Sequence, residues 1–147
     1  LAGLMIADAE LPKGSVVERD EDGKPTGTIR EFAIGYVRRS IPPFPLEEWV
    51  ETGRRLHSEL YQLGFTTTRI AACSEDHLKA AKTLDAKGEL KLRLSFAIPE
   101  NYFDSPLSKE QQGALIARSD KYASKRVFPD AVKIWTDGTQ VEKGLGT

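Results

Sequence analysis

Three features of the sequence place it in the α/β class with a parallel sheet. From Leu46 onward, stretches with helical and strand patterning alternate three times. The strand candidates within Phe65–Ala72, Leu90–Ile98 and Ala131–Thr136 are β-branched or alternating. The stretches between them carry helix-cap signals. Strands separated by helices of this length imply right-handed crossovers and parallel pairing. Three such strands make part of a doubly wound sheet or part of a (β/α)8 barrel. A complete barrel takes about 250 residues, and this chain has 147, so a barrel would be incomplete.

The elements follow in order. Val16–Arg19 reads as a short strand and Thr26–Arg30 as its return, joined by Asp20-Glu21-Asp22-Gly23-Lys24-Pro25, in which Asp-Gly supplies a left-handed turn position. Glu31–Arg39 is short and mixed, with helical character. Ile41-Pro42-Pro43-Phe44-Pro45 is a stiff linker, because each proline removes an amide donor and restricts the residue before it. The domain division that follows is 1–45, a hairpin or lid-like insertion with its Pro-rich linker, and 46–147, the α/β portion.

Leu46–Leu63 is the clearest helix. Leu46, Trp49, Val50, Leu56, Leu60 and Leu63 form its expected apolar face, Arg54, Arg55 and Glu59 the wetter side, and Gly64 the C-terminal stop. Phe65–Ala72 has the β-branched content of a strand. Ser74 then caps a helix with Glu75 and Asp76 in its first turn, ending at Lys87-Gly88. Leu92, Leu94 and Phe96 alternate with Arg93, Ser95 and Ala97, which marks a strand stopped by Pro99. Asn101–Leu107 is loop. Ser108 with Gln111 three residues on forms a capping box for a helix over Lys109–Ala123, and Val127–Asp130 leads into the last strand.

Composition bounds the function. Hydrophobic residues make up 39% and charged residues 29%, with 21 Lys+Arg against 22 Asp+Glu. That balance offers no cationic surplus for a phosphate backbone or anionic lipid, so neither nucleic acid nor membrane is an expected partner. No apolar run approaches the ~18 residues of a membrane span. Cys73 is the single cysteine, which excludes an intramolecular disulfide and a Cys-based zinc site and suits a reducing, cytoplasmic setting. The ends, Leu1-Ala2-Gly3 and Gly144-Leu145-Gly146-Thr147, read as cuts within a longer polypeptide.

Lys133 is the foremost candidate for chemistry. It lies between Val132 and Ile134 near the C-terminal end of a strand, where parallel α/β folds build their sites, and an unpaired buried ammonium there would be costly. A solvent-facing edge lysine or a structural ion pair is the plain alternative. Trp135 shares its side of the strand at period two and would wall a pocket around it; otherwise it is ordinary core. Asp137 follows at the strand end, as a substrate contact or as the first residue of an Asp-Gly turn. His57 and His77 fall on separate helices without ligand-like spacing and read as structural or surface histidines. Cys73 reads as a buried structural thiol, and Thr66–Thr68 as strand formers. No nucleophile elbow, phosphate loop or dinucleotide fingerprint is present.

Four stretches together resemble the amidohydrolase superfamily, in its family 3 branch that includes N-substituted formamide deformylase-like proteins. They are the Val16–Glu31 hairpin with its Asp-Gly-x-Pro-Thr-Gly core, Leu63-Gly64-Phe65-Thr66-Thr67, Leu90-Lys91-Leu92-Arg93-Leu94, and Val132-Lys133-Ile134-Trp135-Thr136-Asp137-Gly138-Thr139. They occur in the family's order and span most of the chain. The resemblance implies a (β/α)8 (TIM-like) metal-dependent hydrolase of C–N bonds, whose metal, commonly zinc, activates a water and polarises an amide-like carbonyl. By its motif Lys133 matches the lysine that many two-metal members carboxylate as a metal ligand, and a carbamate would remove the burial problem of an ammonium.

The family's His-x-His pair and its later His and Asp ligands have no counterpart among these residues. The resemblance therefore implies that the chain covers about strands two to four of an incomplete barrel, preceded by the hairpin. It implies a metal held in a longer parent and a chain that is inactive by itself. A homo-oligomer formed through exposed sheet edges would be one way to cover what is missing. Two other readings stand beside this one: a non-catalytic α/β module on the same scaffold that binds a small molecule or a protein, and a small domain using Lys133 for Schiff-base chemistry.

Overall fold

A computed structural model describes Leu11 and residues 14–31, 33–38, 40–100 and 107–135. The chain divides into two compact units, with the first boundary between Pro42 and Pro43.

In the first unit, β1 (Val16–Arg19) and β2 (Pro25–Arg30) pair antiparallel, with Val16 opposite Arg30 and Val17 opposite Ile29. The Asp20 carboxylate organises the turn by accepting the backbone N–H groups of Asp22 at 3.1 Å and Lys24 at 2.8 Å. Gly23 takes the left-handed conformation there, with φ +79°. Arg30 Nε donates across the strands to Glu18 at 2.6 Å. A short helix, α1 (Ala33–Arg38), follows.

The second unit is mixed α/β. Its order is α2 (Leu46–Gln62), β3 (Thr67–Ile70), α3 (Glu75–Ala86), β4 (Arg93–Pro99), α4 (Lys109–Ala117), a 3-10 turn (Ser119–Tyr122) and β5 (Val127–Lys133). The three strands form one parallel sheet in the order β3-β4-β5, and the described residues contain no closed barrel. Both crossovers run through helices, as the alternation of patterns requires.

Helix ends are closed by local chemistry. At the end of α2, Gly64 sits at φ +88°, the Phe65 N–H reaches Leu60 O at 3.1 Å and the Gly64 N–H reaches Tyr61 O at 3.0 Å, a Schellman closure. Gly88 closes α3 in the same way, with Glu89 N–H to Leu84 O at 2.9 Å. The start of α4 carries the expected capping box: Ser108 N–H donates to Gln111 Oε1 at 2.8 Å, and Gln111 N–H to Ser108 Oγ at 3.3 Å.

The core lies on one face of the sheet. Leu94, Phe96 and Ile98 of β4 and Val127 of β5 cluster with Val50 of α2, Leu78, Ala81 and Leu84 of α3 and Leu115 of α4. All three helices therefore share the face to which alternate β4 residues point, and the other face is free of them.

Four local expectations are corrected. Leu46 and Leu56 of α2, and Leu63 just past its end, are exposed; the helix turns Val50, Gly53 and His57 toward α3 instead. Gly53 explains the rotation: a Cβ there would stand 3.2 Å from Leu84 Cδ1, so the two helices approach closely along that line. The helix expected over Lys109–Ala123 ends at Ala117, where the Ser119 hydroxyl donates back to Ile116 O at 2.8 Å and a 3-10 turn takes over. The last strand starts at Val127 rather than Ala131, and Pro129 lies inside it. The ladder accommodates this proline, which has no N–H, with an irregularity: Ser95 pairs with Phe128 but Ala97 with Ala131, so β5 spends one extra residue. The β3 strand is trimmed to Thr67–Ile70.

Candidate functional site

The face of the sheet opposite α2, α3 and α4 is assigned by register. Thr68, Leu94 and Val127 lie in one row, and Leu94 and Val127 are buried in the core. Their neighbours Arg69, Ser95 and Phe128 consequently point the opposite way. Beyond the irregularity, Ala131 pairs with Ala97 and Lys133 with Pro99. Lys133 thus shares the face opposite α2, α3 and α4 with Ser95 and Ala97, at the C-terminal end of β5.

Lys133 is partly covered there, and its Nζ sits over the Trp135 ring, 5.1 Å from the centroid. An ammonium at this distance is attracted to the negative face of the indole. Lys133 and Trp135, paired in the sequence reading by period two, are brought together in space. Asp137 lies outside the described residues.

Lower on the same face a polar chain crosses all three strands. Arg69 Nε on β3 donates to Ser95 Oγ on β4 at 2.9 Å, and Ser95 Oγ donates to Asp130 Oδ1 on β5 at 2.6 Å. Arg69 also stands 3.7 Å from Asp130 directly. The extra residue of β5 is what lets Asp130 reach this row. Sequence patterning sets Ser95 apart from the apolar alternation of β4, but the three-strand connection depends on register and on the irregularity at Pro129, which no pattern displays.

The histidines lie elsewhere. His77 on α3 accepts the Ser74 N–H through Nδ1 at 3.1 Å and so takes the capping-box position that Gln111 fills on α4. Burial lowers its pKa, with Asp76 opposing. His57 is half-buried on the α3 side of α2; burial lowers its pKa as well, and its Nδ1 has no hydrogen-bond partner. Both belong to the helix layer, across the sheet from Lys133. Cys73 is 3% exposed and its thiol is pushed up to about 12 by burial, which disfavours the thiolate and fits a buried structural thiol.

Among the described residues no three His, Cys, Asp or Glu side chains converge to hold a metal ion. Asp130, the carboxylate bound on the face of Lys133, is engaged by Ser95 and Arg69. A catalytic zinc takes about three protein ligands, so these residues do not by themselves fit a complete metal site. No helix among them is long and apolar enough to cross a membrane. The fold and site define a mixed α/β protein with a lysine at the C-terminal end of a parallel strand. Compared with protein-family models, curated proteins and solved structures, the chain gives no match.

Proposed function

We propose that this chain supplies three consecutive strands of a (β/α)8-type, metal-dependent hydrolase that cleaves C–N bonds in amide-like small molecules. In this reading Lys133 is a carboxylated ligand of a divalent metal, with zinc the expected ion, and Trp135 and Asp137 flank the substrate. The observation that carries it is the position of Lys133: the C-terminal end of β5, on the face that a closed barrel would turn inward. The motif resemblance around Val132–Thr139 supports the same assignment.

The remaining ligands would come from barrel segments beyond these residues, and the isolated chain is inactive. What its own residues do is limited and specific. The face opposite α2, α3 and α4 holds the Arg69–Ser95–Asp130 chain below Lys133 and Trp135 above it, so polar groups line the interior of the proposed barrel segment. The exposed side chains of Val132 on β5 and of Ile134 just past its end, 48% and 62% exposed at the edge of the described sheet, are where a further βα unit or a second copy would dock.

The reading frame on both sides of these residues tests the proposal. A His-x-His codon pair upstream and His and Asp codons downstream are expected. The intact product should retain a divalent metal that Lys133→Ala releases. A complete frame without those codons, or a product whose metal content is untouched by K133A, overturns it.

A further inference from the structure

The seam between α2 and α3 contains both histidines of the chain, and each is placed so that a proton would disturb it. His77 caps α3 from the third position with a lone pair: Ser74 N–H donates to Nδ1 at 3.1 Å, and the Ser74 hydroxyl lies 2.9 Å from the same nitrogen. Its ring stands 4.6 Å from that of Trp49 on α2, at an interplanar angle of 60°. His57 lies one turn past Gly53, the point of closest approach to Leu84, and its occluded Nδ1 meets no donor or acceptor.

We propose that this seam is an acid-sensitive latch: neutral His57 and His77 hold α2 against α3, and protonation of the pair in mildly acidic solution frees α2 while the three-stranded sheet stays formed.

The chemistry is direct. A neutral imidazole accepts through one nitrogen and donates through the other, whereas an imidazolium only donates. Protonated His77 would set its Nδ1–H against the Ser74 N–H, donor against donor, so it could turn to the Ser74 hydroxyl oxygen only by giving up the backbone cap, and it would add positive charge to the first turn of α3, where the helix dipole disfavours it. Protonated His57 would place an N–H and a charge where Nδ1 is buried and no protein group accepts from it.

The surrounding charges do not reverse this. Asp76, on the same helix, favours the protonated form of His77, as does the Trp49 ring, but burial outweighs Asp76 in setting its pKa. For His57 burial is the single influence, with no charged neighbour contributing. Arg54 of α2 is engaged by Glu51 and by Glu89, the latter at 2.8 Å. Glu75, which adjoins the cap, is held below the usual carboxylate range by the Tyr122 hydroxyl and stays ionised well below neutrality. Lys79, bonded to Asp76 at 3.2 Å, keeps its charge throughout.

The chain contains the non-titrating form of the same cap, Ser108 with Gln111, so His77→Gln preserves the cap and removes the proton site. His57→Leu fills the other position with an apolar side chain. Backbone amide exchange, corrected for the intrinsic pH effect and read by mass spectrometry, compares α2 with β4 at pH 7 and pH 5. The wild type should lose α2 protection several-fold between the two pH values, with β4 unchanged. The H57L/H77Q double variant should show no such loss, and H77Q alone, which keeps the cap, a reduced one. Wild-type protection that is the same at both pH values, or an equal loss in the double variant and in H77Q, overturns the latch.

Discussion

The Asp85 carboxylate accepts the Ser124 hydroxyl at 2.6 Å, tying the last turn of α3 to the segment that leads into β5. The same oxygen accepts the Arg126 backbone N–H at 3.0 Å. A carboxylate at a helix C-terminus is opposed by the dipole, so these two donors justify its place there. They also fix where β5 begins, four residues before apolar patterning alone would start it.

Removing that tie should be costly. Asp85→Ala leaves two part-buried donors without an acceptor, a loss of about 1–3 kcal/mol. Asp85→Asn keeps one acceptor oxygen and should lose less. Urea unfolding followed by circular dichroism checks both, with the midpoint moving and the slope unchanged.

Gly53 and Leu84 give a second, coupled test. Alanine at a helical glycine gains about 0.5–1 kcal/mol from backbone entropy. Here its Cβ would stand 3.2 Å from Leu84 Cδ1, and Leu84 is 1% exposed, so it has little room to yield. Overpacking of this kind takes back about 1–3 kcal/mol, and G53A should be destabilising in the wild type. In a Leu84→Val background the obstructing methyl is gone, and the same G53A change should be neutral or stabilising. A double-mutant cycle from urea midpoints reads the change of sign directly.

Glu75 supplies a pH signature. The Tyr122 hydroxyl is the largest influence lowering its pKa, and Lys79, Lys121 and Arg118 add to it. A carboxyl held below its unfolded value, about 4.3, contributes stability that is fully present above that pH and is lost as pH falls through the folded value. Glu75→Gln and Tyr122→Phe should therefore lower the melting temperature clearly at pH 7. Each should approach the wild type at about pH 2, and calorimetry at the two pH values distinguishes this from a uniform packing defect.

The sequence made the order of elements legible because each boundary is local chemistry: Gly64 and Gly88 close helices, Ser108 with Gln111 opens one, and Asp20 with Gly23 makes a turn. It misplaced what depends on a neighbour. The inward face of α2 is decided by how closely α3 approaches Gly53, so Leu56 and Leu63 look like core in sequence and lie in solvent. Lys133 and Trp135 meet in space as the sequence reading expected, although β5 ends at Lys133 and Trp135 lies past the strand. The Arg69–Ser95–Asp130 chain was not legible in this way, because it needs the register of three strands and the extra residue beside Pro129.

The edge strand β5 carries the last prediction. Val132 pairs with Ile98, whose side chain is buried beneath the helices, yet Val132 itself is 48% exposed, because it stands at the border of the described sheet. Ile134, just past the end of β5, is 62% exposed. On a parallel sheet both faces are ordinarily covered, and an uncovered apolar edge is a template for pairing. If this edge joins copies of the chain, Val132→Lys with Ile134→Lys should convert associated material to monomer at micromolar concentration. The double variant should leave the unfolding free energy of the monomer within about 0.5 kcal/mol of the parent, as expected for exposed positions. Leu63→Lys, at the 74% exposed end of α2, serves as the matched control for adding charge. Sedimentation velocity across a hundredfold concentration range reads the outcome, and association that survives the β5 pair but is lost in L63K would move the contact to the α2 side of the sheet.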